Sequence, residues 1–110
     1  MATPRFSFKI APIDVEWDVL SGAWREADAG DFFDGAWVFD HFYPPRGPIK
    51  PMWEAWSLLS ALAAITERLR LGVMVSSNTF RHPALLAHMA ASVDHISNGR
   101  LEIGSAPGLK

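Results

Sequence analysis

The sequence predicts an α/β fold of four consecutive β/α units with parallel strands, and three observations carry that expectation. Short apolar runs begin near residues 6, 36, 69 and 101, and about 30 residues is what a strand, a crossover helix and the next strand need. Between them, apolar residues recur three and four apart, the spacing of one helix face. The second run, Ala36 to Phe39, does not alternate, as expected of a strand covered on both sides. Such units build a parallel sheet with right-handed crossovers. Periodicity leaves open whether that sheet is part of a closed (β/α)8 barrel or an open doubly wound sheet. Both place their chemistry at the carboxyl ends of the strands.

The first run is Phe6 to Ile10. Asp14 is expected to cap a helix whose buried stripe is Leu20, Ala23, Trp24 and Ala27, with Gly30 as a left-handed C-cap. The second run is Ala36 to Phe39, followed by a proline-rich loop, Tyr43 to Pro51. A second helix then buries Ala55, Leu58, Leu59, Leu62 and Ile65. The third run, Leu69 to Val75, leads through Ser76–His82 to Pro83, which suits the first turn of a third helix. That helix buries Leu86, Met89, Ala90, Val93 and Ile96, and Asn98-Gly99 stops it. The fourth run is Leu101 to Gly104, six residues before the end of the sequence.

Composition narrows the function classes. With 110 residues the chain holds one core, not two. A net charge of -2, with 10 basic and 12 acidic residues spread along the chain, offers no basic stripe for phosphates. Nucleic acid is therefore not an expected partner. The absence of cysteine removes disulfides, thiolate metal sites and a cysteine nucleophile. The N-terminus MATPRFSFKI lacks the apolar core of a signal peptide. The apolar stretch Trp53–Thr66 is too short to span a bilayer. A soluble cytoplasmic protein is expected.

At the strand ends, Asp40 and His41 follow directly on the second run. A sheet would hold both at its rim, where an imidazole can serve as acid, base or hydrogen-bond donor. The alternative is a loop histidine paired with Asp40 to tie down the proline-rich segment. Ser76 to Thr79 offers hydroxyls, an amide and backbone N–H groups before a helix, suiting either a ligand or simple capping. Gly104 allows close approach of a ligand or neighbouring backbone. His88 and His95 share a helix face but lie two turns, about 10 Å, apart, too far for one zinc. They read as surface or partner-facing side chains, and no metal site is expected. The tail GSAPGLK has neither the spacing nor the following helix of a phosphate loop, and no G-x-S-x-G elbow is present. The tryptophans at 17, 24, 37, 53 and 56 read as core or helix contacts, with Trp53 and Trp56 also candidates for a subunit interface.

Taken together, FDGAWVFDHFYP and EAWSLLSALAAITERLRLGVMVSSNTFRHPALLAHMAASVDHISNGRLEIG resemble the luciferase-like monooxygenase superfamily. The likeness is nearest to its deazaflavin (coenzyme F420)-dependent oxidoreductases and covers roughly residues 6 to 108. It rests on Asp-His-Phe, T-x-R-L-R-L-G, R-H-P and D-H-I-S-x-G-R-L-E-x-G, in the family's order and spacing. The resemblance implies the first half of a (β/α)8 TIM barrel, hence a single partial domain over residues 1–110, truncated after the fourth strand. It also implies a homo-oligomer and a cofactor ring at the carboxyl face.

Carried over position by position, His41 matches the active-site histidine and Asp40 its neighbour. Met74, Val75 and Ser76 match a bulge that backs the ring, often with a non-prolyl cis peptide. Asn78 matches a position near the ring's polar edge, and Gly104 belongs to the closing motif. Beyond it, GSAPGLK departs from the family's G-x-G-x-G-W, and the half that grips the cofactor phosphate is not in the sequence. The implied activity is hydride transfer with F420 and a small organic substrate, or FMN-dependent monooxygenation. The alternative is a catalytically inactive half-barrel that self-associates or pairs with a partner chain, driven by two open sheet edges and an uncovered apolar interior face.

Overall fold

A computed structural model describes residues 4–77 and 79–106, the last three through their backbone. The apolar runs form β1 (Ser7–Lys9), β2 (Gly35–Val38), β3 (Arg70–Ser77) and β4 (Leu101–Ala106). The periodic stretches form α1 (Trp17–Ala29), α2 (Ala55–Ile65) and α3 (Pro83–Ile96). Every neighbouring strand pair is parallel, and the sheet order is β1-β2-β3-β4.

That order settles the question left by periodicity. A doubly wound sheet reverses its strand order at a switch point and so covers both faces with helices. Strictly sequential order with right-handed crossovers puts every helix on one face. Accordingly α1 packs on α2, and α2 on α3. This is the winding of a barrel.

Strand alternation divides the sheet into two unlike faces. Ala36 and Val38 of β2 lie in register with Leu71 and Val73 of β3, and all four are buried toward the helices. There they meet Leu20 and Trp24 of α1, Trp56, Leu59 and Leu62 of α2, and Val93 of α3. The opposite, concave face carries Ser7, Lys9, Trp37, Arg70, Gly72 and Glu102 by the same registers. It is therefore polar rather than the apolar interior expected. Arg70 and Glu102 form an ion pair at 3.2 Å across β3 and β4. The Trp37 ring lies over Gly72, where a side chain would meet both the indole and the Glu102 backbone carbonyl. On the helix-bearing side Ile103, in register with Val73, is 65% exposed.

Several local expectations are corrected by tertiary contacts. Asp14 does not cap α1; it adopts φ 49° and donates its N–H to the Pro51 carbonyl at 2.8 Å. Ile13 bridges Met52 in antiparallel fashion, and the Trp53 indole N–H donates to Val15 O at 2.9 Å. Segment 12–16 is thus held by the loop before α2, and the helix starts later, with Glu16 at the N-cap. In α1 Ser21 is buried and Ala23 exposed. Gly30 ends α1 in extended rather than left-handed backbone, its N–H on Glu26 O. Ile96, expected on the buried stripe of α3, is exposed. Asn98 and Gly99 do take left-handed φ of 56° and 82° and stop α3. Of the candidate interface tryptophans, Trp56 is fully buried, whereas Trp53 is 37% exposed.

At the amino ends of the strands the units are tied through the main chain. The Asp28 carboxylate accepts the N–H groups of Glu67, Arg68 and Leu69 at 2.8–2.9 Å. Arg100 donates to the carbonyls of Ala63, Thr66, Leu69 and Ser97 and to the Thr66 hydroxyl. Burial acts to raise the Asp28 pKa, but the three backbone N–H bonds and the nearby Arg100 outweigh it and hold it below the usual 3.8. A carboxyl depressed in the folded state stabilises fully above its unfolded value and loses that contribution as pH falls through the folded value. Asp28→Asn is therefore expected to cost about 1–2 kcal/mol near pH 6, as for loss of a capping side chain. In urea melts, the gap between wild type and variant should narrow markedly at pH 3; an equal gap at both pH values would remove the charge from the explanation.

Candidate active site

Beyond Val38 the chain leaves β2 at its carboxyl end and delivers three residues with three different fates. Phe39 continues the alternation away from the helices, and the His41 ring stands edge-on to it, centroids 5.0 Å apart at 81°. His41 is half-buried at the rim. Asp40, between them, turns inward, its side chain 1% exposed.

The Asp40 carboxylate does not pair with His41. It takes both arms of Arg81, Nη2 donating to Oδ1 at 3.0 Å and Nη1 to Oδ2. It also accepts the Ser77 N–H at 2.8 Å and, more weakly, the Ser76 hydroxyl at 3.4 Å. Arg81 Nη2 donates in addition to Glu54 Oε2 at 3.0 Å. Glu54 caps α2, accepting the N–H groups of Trp56 and Ser57 and the Ser57 hydroxyl. The Trp56 indole N–H closes the circuit on Ser76 Oγ at 3.1 Å. The hydrogen bonds that Arg81 donates to Asp40, opposed by burial, lead the effects that raise the Arg81 pKa. One buried network thereby joins the ends of β2 and β3, the start of α2 and the approach to α3.

The approach to α3 is built locally. His82 Nδ1 accepts the Ala84 N–H at 3.0 Å and Pro83 occupies the first turn, so His82, not Ser77 or Thr79, caps the helix. Ser77 and Thr79 instead share a hydrogen bond at 2.9 Å. Just outside, Phe42 stacks on Phe80 with centroids 4.2 Å apart at 19°.

On β3 a cis peptide joins Met74 to Val75, as the resemblance implied. The β3–β4 register shifts between Val73 and Ser76, so Met74 and Val75 together stand opposite Gly104 alone. This is a bulge. Met74 and Val75 are 44% and 43% exposed, while Ser76 is fully buried.

The structure thus brings His41, Met74 and Val75 to the open carboxyl rim and puts Asp40 and Ser76 in the network behind it. Gly104 lies across from the bulge, and Asn78 falls outside the described residues. Sequence reasoning missed Arg81, Glu54 and the Phe42–Phe80 stack. Glu54 is not one of the residue types that announce an N-cap, and the Asp40–Arg81 pair, 41 residues apart, had no local signal. Among the described residues no three His, Asp or Glu converge as a metal site, and no helix is long and apolar enough to cross a membrane.

With this geometry in place, comparison with known proteins identifies its kin. An F420-dependent glucose-6-phosphate dehydrogenase of Amycolatopsis mediterranei is 37% identical over 94 residues, which is 83% of this chain and 27% of that protein. A 5,10-methylenetetrahydromethanopterin reductase of Methanopyrus kandleri is 31% identical over 112 residues, 100% of this chain and 29% of the reductase. The solved coenzyme F420 dependent tetrahydromethanopterin reductase of that organism superimposes with a TM-score of 0.77 at 28% identity, over 97% of this chain and 28% of its own. The oxygenating constituent of 3,6-diketocamphane monooxygenase of Pseudomonas putida, in complex with FMN, gives a TM-score of 0.76 at 19% identity, a likeness of fold alone. The chain spans less than a third of the length of these relatives. Its four parallel strands and the three helices between them correspond to the first half of a (β/α)8 barrel. The family model for luciferase-like monooxygenase matches residues 25–110, and the chain belongs to that family.

Proposed function

We propose that this chain is the N-terminal part of an oxidoreductase working with the deazaflavin coenzyme F420, with FMN as the alternative, on a small organic substrate. The observation that carries the reading is the exposed Met74–Val75 bulge at the carboxyl end of β3, beside the strand that delivers His41. Half-exposed apolar side chains at the same rim as an imidazole fit a planar ring with polar edges. When bound, such a cofactor supplies the hydride chemistry, and the protein positions and biases.

In this reading Met74 and Val75 back the ring, and Gly104 lets the bulged backbone approach β4 closely. His41 holds or moves a proton at its imidazole nitrogen. Asp40 and Ser76 contribute from behind, by fixing the backbone that carries the rim. Asn78 is assigned to the ring's polar edge. The whole enzyme is expected to be a homo-oligomer. A self-associating half-barrel without cofactor is the second reading, favoured by the open outer edges of β1 and β4 among the described residues.

Fluorescence titration with F420 and with FMN tests the proposal. Saturable binding of F420 is expected, weakened about tenfold in His41→Ala, the loss of one hydrogen bond to a charged group. A folded chain that binds neither, and sediments as a dimer, would establish the second reading instead.

A further inference from the structure

His41 sits between two residues that are each held by one of two consecutive residues on another loop. Its predecessor, Asp40, is gripped by the Arg81 fork, and its successor, Phe42, is stacked on Phe80. The loop after β2 carries no regular structure from Phe39 onward, and the residue that follows Phe42, Tyr43, is 66% exposed. Nothing in the local backbone therefore fixes the imidazole. Two anchors on either side of one residue hold the chain through position 41, where the imidazole stands edge-on to Phe39.

The two anchors are also rigidly connected. Phe80 and Arg81 are adjacent, Phe80 N–H donates to Ser77 O at 3.4 Å, and the Ser77 N–H is itself bound to Asp40 at 2.8 Å. His82, next in sequence, caps α3. The grip on the histidine loop is thus referred to the end of β3 on one side and to the start of a helix on the other.

From this bracket we infer that Phe80 and Arg81 are positioning residues for His41, acting through Phe42 and Asp40 rather than by touching a ligand. The inference rests on the reading of His41 as the proton-handling group. Its consequence is that the aromatic stack, which contributes little to the core, controls how well the imidazole is aimed. A side chain misaimed by about 1 Å costs far more in function than in stability.

The test uses proton NMR of the histidine rings together with cofactor titration. In wild type the His41 ring protons should be displaced from free-histidine positions by the current of the Phe39 ring, the signals being assigned by their loss in His41→Gln. Phe42→Ala, at a half-exposed site, should leave the other three histidine signals and the melting curve in place. It should nevertheless erase most of the His41 displacement and weaken F420 binding about tenfold. Phe80→Ala should do the same, and Phe80→Tyr, which preserves the stack, should restore both. Unchanged His41 signals in Phe42→Ala and Phe80→Ala would overturn the bracket. If His41 responds as expected while wild type binds no cofactor, the positioning stands and the functional reading falls.

Discussion

Replacing Arg81 with leucine is expected to destabilise the chain by about 3–5 kcal/mol, the cost of stranding a buried charge. The Asp40 side chain is 1% exposed and the Arg81 side chain 7%, so water cannot take the place of the lost guanidinium. Ser77 N–H and the Ser76 hydroxyl remain as partners for Asp40, but they solvate a carboxylate only in part. Glu54, at 37% exposure, recovers water and loses less. Asp40→Asn should therefore rescue Arg81→Leu, because an amide oxygen keeps the Ser77 bond without the charge. Urea denaturation of the two single variants and the double variant measures this as a coupling energy. Additive losses would mean that the pair is held no more tightly than a surface contact.

Gly72→Ala is expected to be equally damaging for a different reason. The added carbon would enter the space of the Trp37 ring and of the Glu102 backbone carbonyl at once. The ring can rotate away; the carbonyl belongs to the β3–β4 ladder and cannot. Overpacking of this kind costs about 3 kcal/mol or more, since a strand pair must open. Removing the ring in a Trp37→Ala background should recover only part of the loss. Full recovery would place the whole conflict in the side chain and leave the ladder unaffected. Thermal melts of the three variants decide between these.

How much of this was legible follows from the range of the forces involved. Strands and helices were readable because apolar spacing is a local signal, and Pro83 and Asn98-Gly99 marked boundaries through their own backbone preferences. Asp14 failed because local preference yielded to a distant partner, the Ile13–Met52 bridge, whereas Gly30 simply ends its helix in extended backbone with its N–H on Glu26 O. The concave face was misjudged because the second run, which does not alternate, suggested burial on both sides, whereas Ser7, Lys9, Arg70 and Glu102 occupy the lower part of that face. At the rim, the residue types His41, Met74 and Val75 were visible, and their family resemblance gave them meaning. The ion network was not, since Arg81 reaches Asp40 and Glu54 over 41 and 27 residues with no periodicity to announce it.

The two ends of the sheet differ in a way that bears on how such a chain can change over time. At the amino end, Asp28 and Arg100 bind almost entirely to main-chain groups of residues 63–69 and Ser97. Every amino acid but proline supplies those groups, so the partners can drift in identity while the staple holds. At the carboxyl end, Asp40, Arg81 and Glu54 bind one another through side chains, and a change in one calls for a change in the others. The foundation thus tolerates substitution of its partners one at a time, while the rim that bears the histidine requires matched changes.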